Sequence, residues 1–112
     1  MLKNMTNPKL AELIERLKRT KIKHYKSIIK YLSKPARSRP KINLFRIDRV
    51  CNADDKIVVP GKVLGNGELN KKLTIYAWQF SNSAIDKIKK ADGKTLEIDD
   101  LIKSKVKTKI VI

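Results

Sequence analysis

Sulfur and imidazole are nearly missing from this chain, which holds one cysteine, Cys51, and one histidine, His24. A lone cysteine excludes an intrachain disulfide and any zinc site built on a cysteine cluster. A lone histidine excludes the usual histidine-rich metal sites, and neither a metal nor a cofactor is expected. Long apolar runs are missing too. No stretch approaches the ~18 residues that a bilayer span needs. The opening MLKNMTNPKL has no apolar segment of the kind found in a secretory signal. Negative charge is the third shortage, since no acidic residue occurs between Glu15 and Asp48.

What is present is positive charge on one domain's worth of chain. In 112 residues, 27 Lys and Arg face 11 Asp and Glu, a formal charge of +16 and a pI near 10.1. A chain this long hides roughly two-thirds of its extended surface on folding, enough for one modest core. So lopsided a balance opposes compaction by self-repulsion and favours a polyanionic partner. The expectation is a small, soluble, intracellular protein that binds something negative.

The charge is unevenly placed. Residues 1–52 carry 15 basic and three acidic residues, a net of +12, whereas residues 53–112 carry 12 and eight, a net of +4. Ordinary surface helices mix Glu with Lys because i,i+4 pairs of opposite sign stabilise them. Forgoing that from Arg16 to Ile47 makes sense where phosphates supply the missing charge. The plain alternative is a solvated basic face.

Apolar spacing predicts the elements. Asn7-Pro8 reads as a helix start, followed by the stripe Leu10, Leu13, Ile14, Leu17. A second helix is expected over 22–33 on Tyr25, Ile28, Ile29 and Leu32. KPARSRPK (34–41) reads as a basic, extended loop with nothing to anchor a strand. Asn43 is expected to cap a short helix that turns Leu44, Ile47 and either Val50 or Cys51 inward. Downstream, Ile57-Val58-Val59 reads as a buried strand stopped by Pro60-Gly61, and Asn66-Gly67 as a hairpin turn. Leu73 to Phe80 is the strongest strand. A helix from Ser81 or Ser83 carries Ala84, Ile85 and Ile88 inward and ends at Gly93 in the left-handed conformation. Thr95–Glu97, a helical turn opened by Asp99 or Asp100, and a last strand at Lys109–Ile112 complete an α/β domain with a basic, helical N-terminal portion.

Catalysis finds little support. His24 has no acidic neighbour in sequence, and Cys51 reads as a small buried hydrophobe. PGKVLGNGEL lacks the Lys-Ser/Thr of a nucleotide loop, so its glycines read as turn residues, with Lys62, Lys71 and Lys72 placed to touch phosphates beside them. Tyr76, Trp78 and Phe80 alternate along one strand face, but the other face is apolar too, so core packing is expected, with Tyr76 as the partial exception.

Four stretches, TNPKLAELIERLK, YLSKPARSRPKINLFRI, VVPGKVLGNGEL and AWQFSNSAIDKI, resemble the archaeal and eukaryotic large-subunit ribosomal protein family L eighteen-e, which is related to bacterial L fifteen. The likeness runs from about Thr6 to Ile112, and the length is of the short archaeal type. Its most specific part is Lys30-x-Leu32-x-x-Pro35-x-x-x-Arg39-Pro40-x-Ile42-Asn43-Leu44-x-Arg46-Ile47, with Ala36 where the family usually has a basic residue. The resemblance implies a cytoplasmic, structural, non-enzymatic constituent of the large subunit. Its implied partners are ribosomal RNA and neighbouring ribosomal proteins, with no membrane and no small-molecule substrate. It also implies a compact, irregular ββα superhelix, and RNA contacts at Lys30, Lys34, Arg37, Arg39, Lys41 and Arg46.

Charge alone extends the expected RNA-facing surface to Lys18, Arg19, Lys21, Lys23, Lys26 and Arg49, with residues 53–112 as a mixed α/β platform behind it. The rival reading is a general basic nucleic-acid binder that compacts DNA or regulates RNA. Such a protein would hold duplex DNA about as well as folded rRNA.

Overall fold

The computed structural model describes residues 7–112, so the first residue of the family-like stretch, Thr6, lies outside it. Helix α1 (Pro8–Thr20) begins as the sequence predicts, with the Asn7 side chain accepting from the Lys9 amide. Leu10, Leu13, Ile14 and Leu17 are all buried, and Lys21 ends the helix in the left-handed region at φ 55°. Helix α2 (Tyr25–Leu32) is shorter than expected. It buries Tyr25, Ile28 and Leu32 and leaves Ile29 half-buried.

Five strands form one parallel sheet: β1 (Lys41–Asn43), β2 (Lys56–Leu64), β3 (Thr74–Phe80), β4 (Lys94–Glu97) and β5 (Lys109–Ile110). The order is β1-β2-β3-β4, with β5 also on β2. β1 pairs with residues 62–64 of β2 and β5 with 57–58, so the two lie end to end along one edge. Helix α3 (Leu44–Val50) follows β1, α4 (Asn82–Lys90) joins β3 to β4, and α5 (Ile98–Ser104) leads toward β5.

The helices cover both faces. Leu44, Ile47, Ala84 and Ile88 from α3 and α4 pack on Ile57, Val59 and Ile75. On the other face Leu13, Leu17, Ile28, Leu32 and Leu101 from α1, α2 and α5 pack on Val58 and Tyr76. The strand expected to be apolar on both sides is therefore covered on both sides. Each core draws on both halves of the chain, so the boundary in charge near residue 52 is not a boundary in packing.

Several expectations are corrected. No hairpin forms at Asn66-Gly67, because β2 and β3 are parallel and residues 65–73 cross over between them. Thr74 pairs with Lys56, so the chain must travel back along β2, about 26 Å at ~3.3 Å per residue. The steps from residue 64 to 74 reach about 36 Å at most. No room for a crossover helix is left. The segment lies along α3, where Phe45 N–H donates to the Asn66 carbonyl (3.0 Å) and Asn70 N–H to Asp48 Oδ1 (3.0 Å). Gly67, at φ +93°, passes so close to Phe45 that a Cβ would lie 2.4 Å from the Phe45 Cβ.

Pro60-Gly61 does not stop β2. The strand changes its edge partner there, from β5 to β1, and its register with β3 shifts between Val59 and Lys62. A proline's missing donor is tolerated at such an irregularity. The 34–41 segment is not simply extended: Ala36–Ser38 form a 3₁₀ turn and Lys41 opens β1. Asn43 does occupy the N-cap of α3, but its side chain makes no capping bond and its Oδ1 is buried without a partner. Cys51, not Val50, turns inward.

At α4 the cap is Ser81, accepting from Ala84 N–H, and the left-handed residue after the helix is Asp92 (φ 60°), not Gly93. Glu97, not an aspartate, caps α5, with Asp100 answering it in a reciprocal capping box.

Candidate nucleic-acid interface

The acid-free stretch is bound into the fold at its start. Arg16 Nη1 donates to Asp99 Oδ1 at 2.7 Å, a partner 83 residues away, and Arg16 Nη2 lies 3.8 Å from Glu12; Lys18 sits 3.9 Å from Glu15. Hydrogen bonding to Asp99 raises the Arg16 pKa first, with the carboxylate's charge second. Beyond these pairs no cation among the described residues pairs with an acidic side chain. Arg19 and Lys21 at the end of α1, and Lys23, Lys26 and Lys30 on or beside α2, are exposed, and none has an acidic partner among the described residues. Lys30 and Lys34 lean over the Tyr31 ring, 5.8 and 5.0 Å from its centroid. That contact is an attraction of the ring face for a cation.

The most concentrated charge lies where the 34–41 segment meets the sheet. Arg37, Arg39, Lys41 and Lys62 line one hollow of about 230 Å³ beside Trp78 and Gln79, and no carboxylate lines it. Lys41 and Lys62 face each other in the parallel ladder, and Lys62 N–H donates to the Pro40 carbonyl (2.9 Å). Gly61 makes this docking possible, since a Cβ there would lie 2.1 Å from the Pro40 carbonyl oxygen. Two adjacent ammonium groups repel, and an anion between them removes the repulsion.

Arg39 is partly exposed. Its Nε–H is shared by the carbonyls of Leu32 (3.2 Å) and Lys34 (3.0 Å), and burial lowers its pKa. It therefore fixes the end of α2 to the loop while sitting at the hollow.

The other expected contacts lie elsewhere. Arg46 and Arg49 are on α3, across the sheet from α1 and α2; Arg46 Nη2 donates to the Ile112 oxygen at 3.1 Å, and Arg49 is exposed. Lys72 is exposed. Lys71 has its ammonium donating to the carbonyls of Asp48 and, at 2.7 Å, Cys51. It caps the C-terminal end of α3, a favourable place for a cation.

Lys71→Ala is accordingly expected to cost about 1.5–3 kcal/mol, the usual worth of hydrogen bonds to a charged group. A thermal melt should show it as a clear drop in Tm with the salt dependence of RNA binding unchanged; an unchanged Tm contradicts this role. Sequence reasoning missed Lys87, which ties down the crossover through the carbonyls of Gly65 and Gly67, both at 2.8 Å. Only the tertiary fold brings these groups together.

Tyr76 is not the exposed aromatic: it is buried beside Val58 and Tyr25, while Trp78 and Phe80 are partly open. His24 is exposed, with Nε2 3.3 Å from Thr108 Oγ1. Cys51 is 1% exposed, and burial pushes its thiol pKa up. A raised value means the folded chain holds that proton more tightly. This contribution to stability is whole below the unfolded thiol value, about 8.5, and is lost as pH rises through the folded one. Above the unfolded thiol value of about 8.5, stability should fall more steeply with pH in the parent than in Cys51→Ala, in urea melts at each pH; parallel curves contradict the assignment.

A parallel sheet covered on both faces, with a basic hollow at the docking point of β1, defines an α/β domain with one strongly basic side, and no helix among the described residues is long and apolar enough to cross a membrane. The family of ribosomal proteins that groups 50S-L15 and 50S-L18e with a 60S counterpart matches residues 8–96. Relatives named large ribosomal subunit protein eL18 include one from Methanococcus maripaludis, 41% identical over 87% of this chain and 84% of its own length. Those from Sulfurisphaera tokodaii (41% identical; 83% and 79%) and Methanoregula boonei (40% identical; 91% and 88%) agree. The chain belongs to this ribosomal protein family, on its eL18 branch: a structural, non-enzymatic protein of the large subunit.

Proposed function

We propose that this chain holds large-subunit rRNA through the exposed face of α1 and α2 and the 34–41 segment, on the sheet as a rigid platform. The observation that carries this is the convergence of Arg37, Arg39 and Lys41 with Lys62, from a distant part of the chain, on one hollow with no carboxylate. Arginines make the fixed contacts, because the planar guanidinium donates two parallel bonds to one phosphate. Lys18, Arg19, Lys21, Lys23, Lys26, Lys30 and Lys34 add mobile charge, and folded RNA is read mainly by shape and backbone. Arg46, Arg49 and Lys72, exposed on the α3 side, add a smaller contact with the RNA, and neighbouring ribosomal proteins complete the partners. The step β2-β3-α4, two strands followed by a helix, supports reading the fold as an irregular ββα superhelix, while β1-α3-β2 and β4-α5-β5 are the departures that make it irregular.

The test is gradient sedimentation of cell extract, with the chain expected among large subunits and released by high salt. A chain that stays at the top of the gradient, or that binds duplex DNA as tightly as folded rRNA in competition, is a general nucleic-acid binder instead.

A further inference from the structure

Trp78 is the chain's one tryptophan, and it stands partly open on a strand whose neighbours Tyr76 and Ala77 are buried. It separates two hollows. One, toward α1, is of mixed charge, lined by Glu12, Glu97 and Asp99 together with Lys9 and Arg16. The other contains Arg37, Arg39, Lys41 and Lys62 and no carboxylate, with Gln79 also in its lining.

Taking the rRNA-binding reading above as its basis, we propose that this basic hollow captures a single unpaired nucleotide of the RNA, its base stacked on Trp78 and its phosphate between Lys41, Lys62 and the arginines. Three features favour that occupant. At about 230 Å³ and open to solvent on one side, the hollow can seat a base against its wall with the rest of the nucleotide outside, and it cannot admit a stretch of helix. Its four cations and absence of acid match a phosphate. An indole beside them offers the flat apolar surface on which unstacked bases are held, and the Gln79 amide can both donate to and accept from a base edge. A duplex backbone would use the cations and leave the indole untouched.

Because Trp78 is the sole tryptophan, its fluorescence reports the site in the intact chain. Single-stranded oligo(A) and large-subunit rRNA transcript are expected to quench it at saturation, while a blunt RNA duplex and poly-glutamate are not. Trp78→Leu should weaken binding to the transcript about 5- to 150-fold, the range of one base–aromatic stack, with the slope of log K against log salt unchanged because no charge is removed. Lys62→Ala should lower that slope by about one. Trp78→Phe keeps an aromatic face and should retain most of the affinity, which separates stacking from damage to the fold.

Unquenched fluorescence with the transcript fully bound overturns the stacked nucleotide and leaves the rRNA-binding reading standing. Equal quenching by duplex also overturns it. Quenching by poly-glutamate assigns the hollow to acidic protein and overturns it as well. Failure of the transcript to bind at all removes both readings.

Discussion

Gly61→Ala is expected to lower Tm by about 10–20 °C and to free residues 34–43 from the sheet. The added methyl would lie 2.1 Å from the Pro40 carbonyl oxygen and 3.0 Å from its carbon. Both are backbone atoms, so no side-chain rotation relieves the clash. Either β1 leaves β2 or the strand bends, and the hydrogen bond from Lys62 N–H to Pro40 is lost in both cases. Overpacking costs about 1–3 kcal/mol in cores and more where backbone must move. About 3 kcal/mol in a domain of this size gives the stated shift. Because the same movement scatters Arg37, Lys41 and Lys62, binding to rRNA should weaken even below the melting range. Tryptic cleavage after Arg37 should quicken. A melting temperature within a degree or two of the parent contradicts this account of β1.

The largest functional effect is expected from Arg37→Ala, Lys41→Ala and Lys62→Ala together. Each phosphate neutralised contributes about 0.7–0.9 to the slope of log K against log salt, so the triple variant should lose about 2–3 from that slope. At fixed salt, somewhat more than ~1 kcal/mol per contact compounds to about 100- to 1000-fold weaker binding. Tm should hold or rise slightly, since Arg37 and Lys41 are exposed and removing like charge relieves repulsion. Arg39 is deliberately left in place, because its Nε–H bonds to Leu32 and Lys34 would mix a folding defect into the result. Filter binding over a salt series measures the slope. An unchanged slope, or an equal loss from Lys89→Ala with Lys90→Ala on α4, contradicts the assignment of the RNA-facing side.

The helices were legible because their signals are local. The α1 stripe, the Asn7 cap and the buried pair Leu44 and Ile47 need only a few residues of context, and all are observed. Strand existence was legible from β-branched runs at β2 and β3 but not at β1, which holds only Ile42 between two polar residues, and strand pairing was not legible at all. Asn66-Gly67 is a strong hairpin dipeptide, but the sheet is decided by long-range packing of Ile57, Val59 and Ile75 under α3 and α4, with β2 and β3 held parallel. Pro60 fails as a stop signal for a related reason, since β2 changes edge partner at that point.

At the candidate site the excess of charge was visible, and its grouping was not. Lys62 reaches the 34–41 segment through the β1–β2 ladder, Arg16 finds Asp99 across the fold, and Lys71 turns back onto α3. No spacing rule in the sequence carries any of these three. Trp78 was seen as one of an alternating aromatic trio, and the covering by α1, α2 and α5 decides that it stays partly open while Tyr76 is buried.

The central claim is that the principal RNA contact of this molecule is the α1–α2 face with the hollow beside it. Lysine-directed labelling of the free chain and of intact large subunits, read by mass spectrometry, tests it residue by residue. Lys23, Lys26, Lys30, Lys41 and Lys62 should lose reactivity in the subunit and regain it after nuclease treatment, while Lys89 and Lys90 on the opposite layer keep theirs. Protection of Lys89 and Lys90 with the α2 lysines still reactive would contradict it.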